Sequence, residues 1–270
     1  MTADGNSLSH PEGGALEMEI IQSLHNPKVQ LWRSLKDTRG RKEHRLFLVE
    51  GTRFVQEALQ SSFPIQAILL REDYEPKPAL VSRAPVFHLA DHVFQAVCDT
   101  KTPQGIAAIL SPQTLPVRGN AVLALDGIQD PGNLGTMIRT ADAAGFTGVL
   151  ISPECCDLFS PKALRATMGS LFHIGITISD DFLTLLNQYK QNGFSLLSSQ
   201  LDGTPFFERS QIRPSFILIV GNEGNGVSEA VRKIATHHLC LPMQGAAESL
   251  NAAVAAGIMM YDLMRFSSAQ

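Results

Sequence analysis

Apolar strands alternating with amphipathic helices predict an α/β protein, a parallel sheet between helices preceded by a smaller α/β unit. Three observations carry this. The second half contains AVLALDGI (121–128), GVLIS (148–152), FSLLSS (194–199) and FILIVGN (216–222), which are apolar without alternation. Strands of that kind need cover on both faces, as in a parallel sheet. The first half has shorter runs separated by helical patterns, and between the halves SPQTLPVRGN (111–120) carries two prolines and a glycine without periodicity. That composition reads as a connection. The expected division is a polar, disordered leader over 1–18, a first unit over 19–112, a linker over 113–119 and a second unit over 120–270.

In chain order, Asn26-Pro27 is a cap and first-turn pair for a short helix with Val29, Trp32 and Leu35 on one side. The polar stretch Lys36 to Arg45 follows. Then come a strand in LFLVEG (46–51), a helix from Thr52 with Phe54, Val55, Ala58 and Leu59, strands in IQAILL (65–70) and PVFHLA (85–90), a helix from Asp91 and a strand in GIAAIL (105–110).

The 270 residues are 44% hydrophobic and 18% charged, an ordinary globular balance that excludes fibrous and disordered classes. No stretch is long and apolar enough to span a bilayer, and MTADGNSLSHPEGG has no apolar h-region. Four cysteines without a CxxC pair fit neither a zinc knuckle nor a disulfide framework. A cytoplasmic protein with no membrane span and no metal is expected; His88 and His92 lack the acidic partner of a metal helix, and His237-His238 read as surface preceding a strand.

The net charge of −4 offers no global attraction for a polyanion. It is unevenly spread. From His25 to Phe54 eight cations face three anions, a net of +5, whereas from Asn120 onward nine cations face thirteen anions. The basic segment, with Arg33, Lys36, Arg39, Arg41 and Lys42, reads either as a solvated helix and loop or as a patch that steers a polyanion, and charge alone does not choose between RNA and DNA.

Three Gly-rich turns fall where open α/β sheets place ligands, at the carboxyl ends of strands. In DGIQDPGNLGTMIRTADAAG (126–145), Pro131-Gly132-Asn133 opens a helix whose packing face is Leu134, Met137, Ile138, Ala141 and Ala144. Arg139 lies off that face; Gly135 is expected to leave a backbone-accessible polar side, with Asn133 as a cap or a site residue and Asp142 in reach of Arg139. In FILIVGNEGNGVS (216–228), the spacing Gly221-x-x-x-x-Gly226-Val227-Ser228 nearly spells a phosphate loop, but Val227 stands where its lysine belongs. A nucleoside triphosphatase is thereby disfavoured, while Glu223 sits beside exposed backbone amides. In LCLPMQGAAESLNAAVAAGIMMYDLM (239–264), Ser249 is placed to cap a helix over Leu250 to Met264 that is small and apolar nearly all round. Such a helix must be buried all round, in a core or a subunit interface. Capping does not explain Asn251.

The three motifs in this order resemble the SpoU or TrmH family of RNA ribose 2′-O-methyltransferases, over about 120 to 265 of the chain. More weakly, 25–110 resembles the ribosomal-protein-like RNA-binding module that precedes the catalytic domain in several rRNA-directed members. The resemblance implies a trefoil-knotted, S-adenosylmethionine-dependent domain working as a homodimer. By motif position it makes Asn133, Arg139, Glu223, Ser249 and Asn251 the catalytic set and places the cofactor on Gly221, Leu241 and Leu250. Arg139 would meet the target nucleotide, held by Ser249, with rRNA favoured over tRNA as substrate. A free guanidinium is a poor base, so Arg139 is expected to position a phosphate and stabilise developing alkoxide, oriented by Asn133, while Glu223 and Asn251 shape the pocket. A non-catalytic assembly factor on the same fold is the alternative.

Overall fold

The computed structural model describes residues 19–75, 84–212 and 215–265. The expected leader lies outside them. Asn26 caps α1 (Pro27–Ser34) by accepting from the Lys28 N–H, and Val29 and Trp32 are buried beneath it. The polar stretch Lys36 to Arg45, read as a solvated helix and loop, forms a second helix, α2 (Thr38–His44), which ends with Arg45 in the left-handed region (φ 51°). Behind it the elements follow the expected order, with β2 (Phe47–Glu50), α3 (Thr52–Gln60), β3 (Ile65–Arg71), β4 (Val86–Leu89), α4 (Asp91–Val97) and β5 (Ile106–Leu110). With β1 (Ile20–Ile21) they make a mixed sheet of order β1-β4-β3-β5-β2, in which β2 and β3 run antiparallel to β5.

The second sheet is wholly parallel among the described residues and has seven strands. The chain enters through β6 (Ala121–Asp126), passes α5 (Pro131–Ala144) to β7 (Gly148–Ile151), then α6 (Pro161–Thr167) to β8 (Gly175–Ile178). It returns by α7 (Phe182–Gln191) to β9 (Ser195–Gln200) on the far side, and β10 (Thr204–Pro205), β11 (Phe216–Gly221), α8 (Glu229–Ile234), β12 (His237–Cys240) and α9 (Ala252–Arg265) complete it. Strand order is β10-β12-β9-β11-β6-β7-β8. Every residue of β6, β7 and β11 is buried, which is why their sequences do not alternate. Their two faces feed two cores. Leu123, Leu125, Leu218 and Val220 meet α5 and α9, while Val122, Ala124, Ile217 and Ile219 meet Phe182 and Leu186 of α7 and Val231 of α8.

Three sequence expectations change here. His237 and His238 lie within β12 rather than before it. The last helix starts at Ala252, not Leu250, and it is not buried all round, because Val254 (52%) and Tyr261 (56%) are exposed. Gly135 is no open surface: a Cβ there would fall 2.5 Å from the Ala163 carbonyl oxygen and 2.5 Å from Ala166 Cβ, so the glycine is what lets α5 and α6 pack backbone to backbone.

The two sheets share one core. Phe47, Val49, Val55 and Phe63 of the first unit are continuous with Leu164, Leu171 and Phe172 of the second, through Phe47–Phe159 (centroids 4.7 Å) and Phe63–Phe172 (5.1 Å). Burying an aromatic pair of this kind is worth about 0.5–1.5 kcal/mol beyond its area. Arg165 reaches Asp99 at 2.6 Å across the same seam.

Candidate active site

The chain goes from β6 outward through β7 and β8, then crosses to build the other half of the sheet, so β6 and β11 flank the point where strand order reverses. Ligand crevices of open α/β sheets form there, at the carboxyl ends of the strands. Two loops leave from that point. One follows Asp126 into α5, the other follows Gly221 into α8.

The second loop is folded tightly on itself. Asn222 and Gly226 exchange backbone hydrogen bonds of 2.9 and 2.8 Å, and the Asn222 side chain accepts from the Gly224 and Asn225 N–H groups while donating to the Gly127 carbonyl. A Cβ at Gly221 would lie 2.1 Å from the Gly226 carbonyl carbon, so only glycine allows this return. Asp126 fastens the far end by accepting from the Ser228 N–H at 2.8 Å. The fold holds Glu223 out toward the first loop. Its carboxylate accepts from the Gln129 N–H (3.1 Å), the Asp130 N–H (3.2 Å) and Asn133 Nδ2 (3.0 Å). Partial burial pushes this carboxyl up, but the hydrogen bonds from Asn133 and from the Gln129 and Asp130 amides outweigh it and leave the group below the usual glutamate range.

Asn133 is therefore not the helix cap. Asp130 takes that place, accepting from the Asn133 N–H at 2.8 Å, and its other oxygen meets Lys162 Nζ at 2.8 Å. Those contacts, Lys162 first, hold the Asp130 carboxyl below its ordinary value. With its backbone used for capping, the Asn133 side chain is free to bridge. It donates to Glu223, and its oxygen accepts from Asn251 Nδ2 at 3.0 Å.

Asn251 is also the cap of α9. Its oxygen accepts from the Ala253 and Val254 N–H groups at 2.9 and 3.3 Å, which corrects the assignment of that role to Ser249. One residue from each Gly-rich turn thus joins an unbroken chain, Glu223–Asn133–Asn251. Ser249 and Arg139 are not part of it; both are exposed, and neither side chain makes a hydrogen bond or ion pair among the described residues, with the other included. Arg139 has no bond to Asp142, which pairs with His173 at 3.4 Å. Sequence reasoning passed over Asp130, Asn222 and Lys162. Asp before Pro is a legible cap signal, and Asn before Glu-Gly is a legible Asx turn, but the Lys162 contact spans 32 residues and leaves no local trace.

The residues placed for a cofactor lie around the same crevice. Gly221 ends β11, Leu241 is half-buried just after β12, and Leu250 is exposed. Residues 242–250 are exposed, and their backbone groups bond to no other backbone among the described residues. Free amide donors and carbonyl acceptors beside half-buried apolar side chains suit a ligand with a heteroaromatic base and an amino-acid end, as S-adenosylmethionine has. No group of three or more His, Cys, Asp or Glu that could hold an ion occurs among the described residues. His92 instead meets the Gln22 carbonyl at 2.9 Å. Burial pushes the Cys156 thiol up to about 12, helped by Cys155, Glu223 and Asp130, and burial raises Cys155 too.

Of the five cations read as an RNA patch, the structure removes one. Arg41 is 6% exposed. Its guanidinium donates to the Leu35 and Lys36 carbonyls at 2.7 Å each, to Thr38 Oγ1 at 3.0 Å and to Asp157 of the second unit at 2.7 Å. It is a structural seam and has no donor left for RNA. Arg33, Arg39 and Lys42 are exposed and Lys36 is half-buried.

Comparison with known proteins shows what both units resemble. Residues 120–261 match the SpoU rRNA Methylase family and residues 26–108 the MRM3-like substrate binding domain. The 23S rRNA (guanosine(2553)-2′-O)-methyltransferase RlmP of Bacillus subtilis (strain 168) is 40% identical over 91% of this chain and 99% of its own. The AdoMet-bound rRNA methyltransferase from Sinorhizobium meliloti superposes with a TM-score of 0.82 at 30% identity, covering 92% of this chain and 98% of that one. The SpoU methyltransferase AviRb from Streptomyces viridochromogenes, in complex with AdoMet, gives 0.82 at 26% identity over 91% and 99%.

Fold and site define an S-adenosylmethionine-dependent RNA methyltransferase built behind a substrate-binding unit. The chain belongs to the SpoU rRNA methylase family.

Proposed function

We propose that this protein transfers the methyl group of S-adenosylmethionine to a ribose 2′-hydroxyl in structured ribosomal RNA. The observation that carries the reading is the hydrogen-bonded chain Glu223–Asn133–Asn251 at the switch point of the sheet, with an unpartnered arginine on the same helix as Asn133. The 2′-O position and the rRNA substrate are those of the Bacillus subtilis relative, and the match of 26–108 to a substrate binding domain supports a large structured RNA.

When bound, S-adenosylmethionine supplies an electrophilic methyl on a sulfonium that departs as a neutral thioether. What remains for the protein is to aim a weak nucleophile, whose proton passes to an oxygen of the adjacent RNA phosphate and on to water as the new bond forms. Arg139 is free to take a backbone phosphate beside the target and to stabilise the alkoxide as it develops, a guanidinium being suited to holding charge rather than to accepting a proton. Asn133 does not orient Arg139, as was expected, since its bonds go to Glu223 and Asn251. Its part is to lock the three loops so that the pocket keeps one shape. Gly221, Leu241 and Leu250 hold the cofactor through the backbone groups around them, and Ser249, with its hydroxyl free, faces substrate. Arg33, Lys36, Arg39 and Lys42 grip RNA.

The same reading takes 19–112 as the RNA-gripping unit, 113–119 as linker and 120–270 as the catalytic unit, with the loop before α9 forming the trefoil knot. A homodimer completes the pocket. Val254, Ile258 and Tyr261 repeat at i, i+4 and i+7 on α9 and stand exposed beside a shallow groove of about 590 Å³ lined by Ala143, Ala144 and Phe207, the kind of apolar stripe a two-fold contact covers. No helix among the described residues is long and apolar enough to cross a membrane, and we place the enzyme in the cytoplasm, where its substrate is. Calorimetric titration with S-adenosylmethionine tests the cofactor part directly: saturable binding at one site per chain is expected, and no heat at millimolar ligand would contradict it.

A further inference from the structure

Arg41 and Asp157 join the basic helix α2 to the segment that carries the loops of the catalytic crevice. Asp157 takes two donors from Arg41, at 2.8 and 2.7 Å, and uses its second oxygen to accept from the Phe159 N–H at 2.9 Å. Directly before it, the Cys156 N–H donates to the Ile128 carbonyl at 2.8 Å, and the Ile128 N–H donates to Cys155 Sγ at 3.2 Å. Two further bonds tie the same segments: Gly127 N–H to Ser152 Oγ at 3.0 Å, and Gln129 Nε2 to the Glu154 carbonyl at 2.6 Å. Turn 127–130 then donates the Gln129 and Asp130 amides to Glu223. Both ends of the ion pair are withdrawn from water, with side chains 5% and 20% exposed, so it is neither screened nor easily exchanged. The other three acceptors of Arg41 lie at the α1–α2 corner that carries Lys36.

We propose that Asp157, gripped by Arg41, is a positioning residue for methyl transfer: it fixes where RNA held on α1 and α2 stands relative to the Glu223–Asn133 pocket. The role acts through geometry alone. A guanidinium in five fixed bonds cannot rotate to follow a shifted carboxylate, so loop 152–157, and with it turn 127–130, has one seat against the first unit. Misplacing reacting groups by about 1 Å costs about a hundredfold in rate in favourable cases, and releasing this seat is a smaller disturbance.

The inference rests on the reading of α1 and α2 as the RNA grip, and its test separates the two. Asp157→Asn keeps the size and one acceptor but loses the charge. On a structured rRNA fragment the variant is expected to bind RNA and S-adenosylmethionine within about twofold of wild type, while kcat falls about tenfold. Leu186→Val, far from both units' seam on α7, serves as a control chosen for an equal loss of Tm, and its kcat is expected to stay at the wild-type value. Unchanged kcat in Asp157→Asn, with only a lowered Tm, would overturn the proposal and leave the pair a structural tie. If Asp157→Asn does not fold, Asp157→Glu carries the same test, because it keeps the charge while displacing it by one methylene. An Arg33→Ala, Lys42→Ala double variant that binds RNA as wild type does would instead remove the RNA grip itself, and with it the premise.

Discussion

Glu223 shows how one carboxylate turns three loops into a site. Its hydrogen bonds favour the charged form against the burial that opposes it, so its folded pKa is depressed. A depressed acid stabilises the fold fully above its unfolded pKa of about 4.3 and loses that contribution as pH falls through the folded value. Urea unfolding of wild type and Glu223→Gln from pH 3 to 7 is therefore expected to show a gap that is constant above about pH 5 and closes on acidification. A gap independent of pH would mean that the carboxylate charge is not what the Asn133 and backbone donors hold. Arg41 teaches the opposite lesson about reading residues. In sequence it is one cation among five in a basic run, and nothing local separates it from Arg39 or Lys42. Only the tertiary placement of Asp157, 116 residues later, makes it a buried tie.

At the scale of elements, α9 owes both its start and its function to Asn251. The oxygen caps the helix while the Nδ2 donor reaches Asn133, so the two duties sit on different atoms and are separable. Asn251→Asp is expected to keep the cap and the stability but to lose the donor, placing a carboxylate against the Asn133 oxygen and lowering kcat sharply. Asn251→Ala is expected to lose both, with about 1 kcal/mol of stability gone by denaturant unfolding. Equal stability loss in the two variants would contradict this separation. The elements themselves were largely legible. Continuous apolar runs announced β6, β7, β9 and β11, and Pro131 announced α5. The strand β8 was missed because GITI has only two bulky apolar residues, and β12 was expected to start after its two histidines, which mask the pattern in HHLC. The site was legible as motif positions but not as a network. Ser249 precedes the helix as a capping residue should, and only backbone geometry shows that the helix begins two residues later than a Ser249 cap requires.

For the whole molecule, the uneven charge and the uncovered face of α9 describe a division of labour. Cations cluster on the first unit, and the acidic second unit turns an apolar stripe outward. Ile258→Glu puts a charge in the middle of that stripe without touching the core, and is expected to convert a dimer to a monomer in sedimentation experiments while the chain stays folded by circular dichroism. A wild-type protein that already sediments as a monomer at micromolar concentration would contradict the dimer. The central claim is the chemistry. It is tested most directly by incubating the purified protein with S-adenosylmethionine and unmodified rRNA, digesting the RNA to nucleosides and identifying the methylated product by mass spectrometry, with Arg139→Lys run in parallel. The account predicts a single ribose-methylated nucleoside, formed by wild type and reduced at least about tenfold by the lysine variant, whose point charge cannot hold a phosphate in two places. A base-methylated nucleoside, or equal yields from the two proteins, would contradict it.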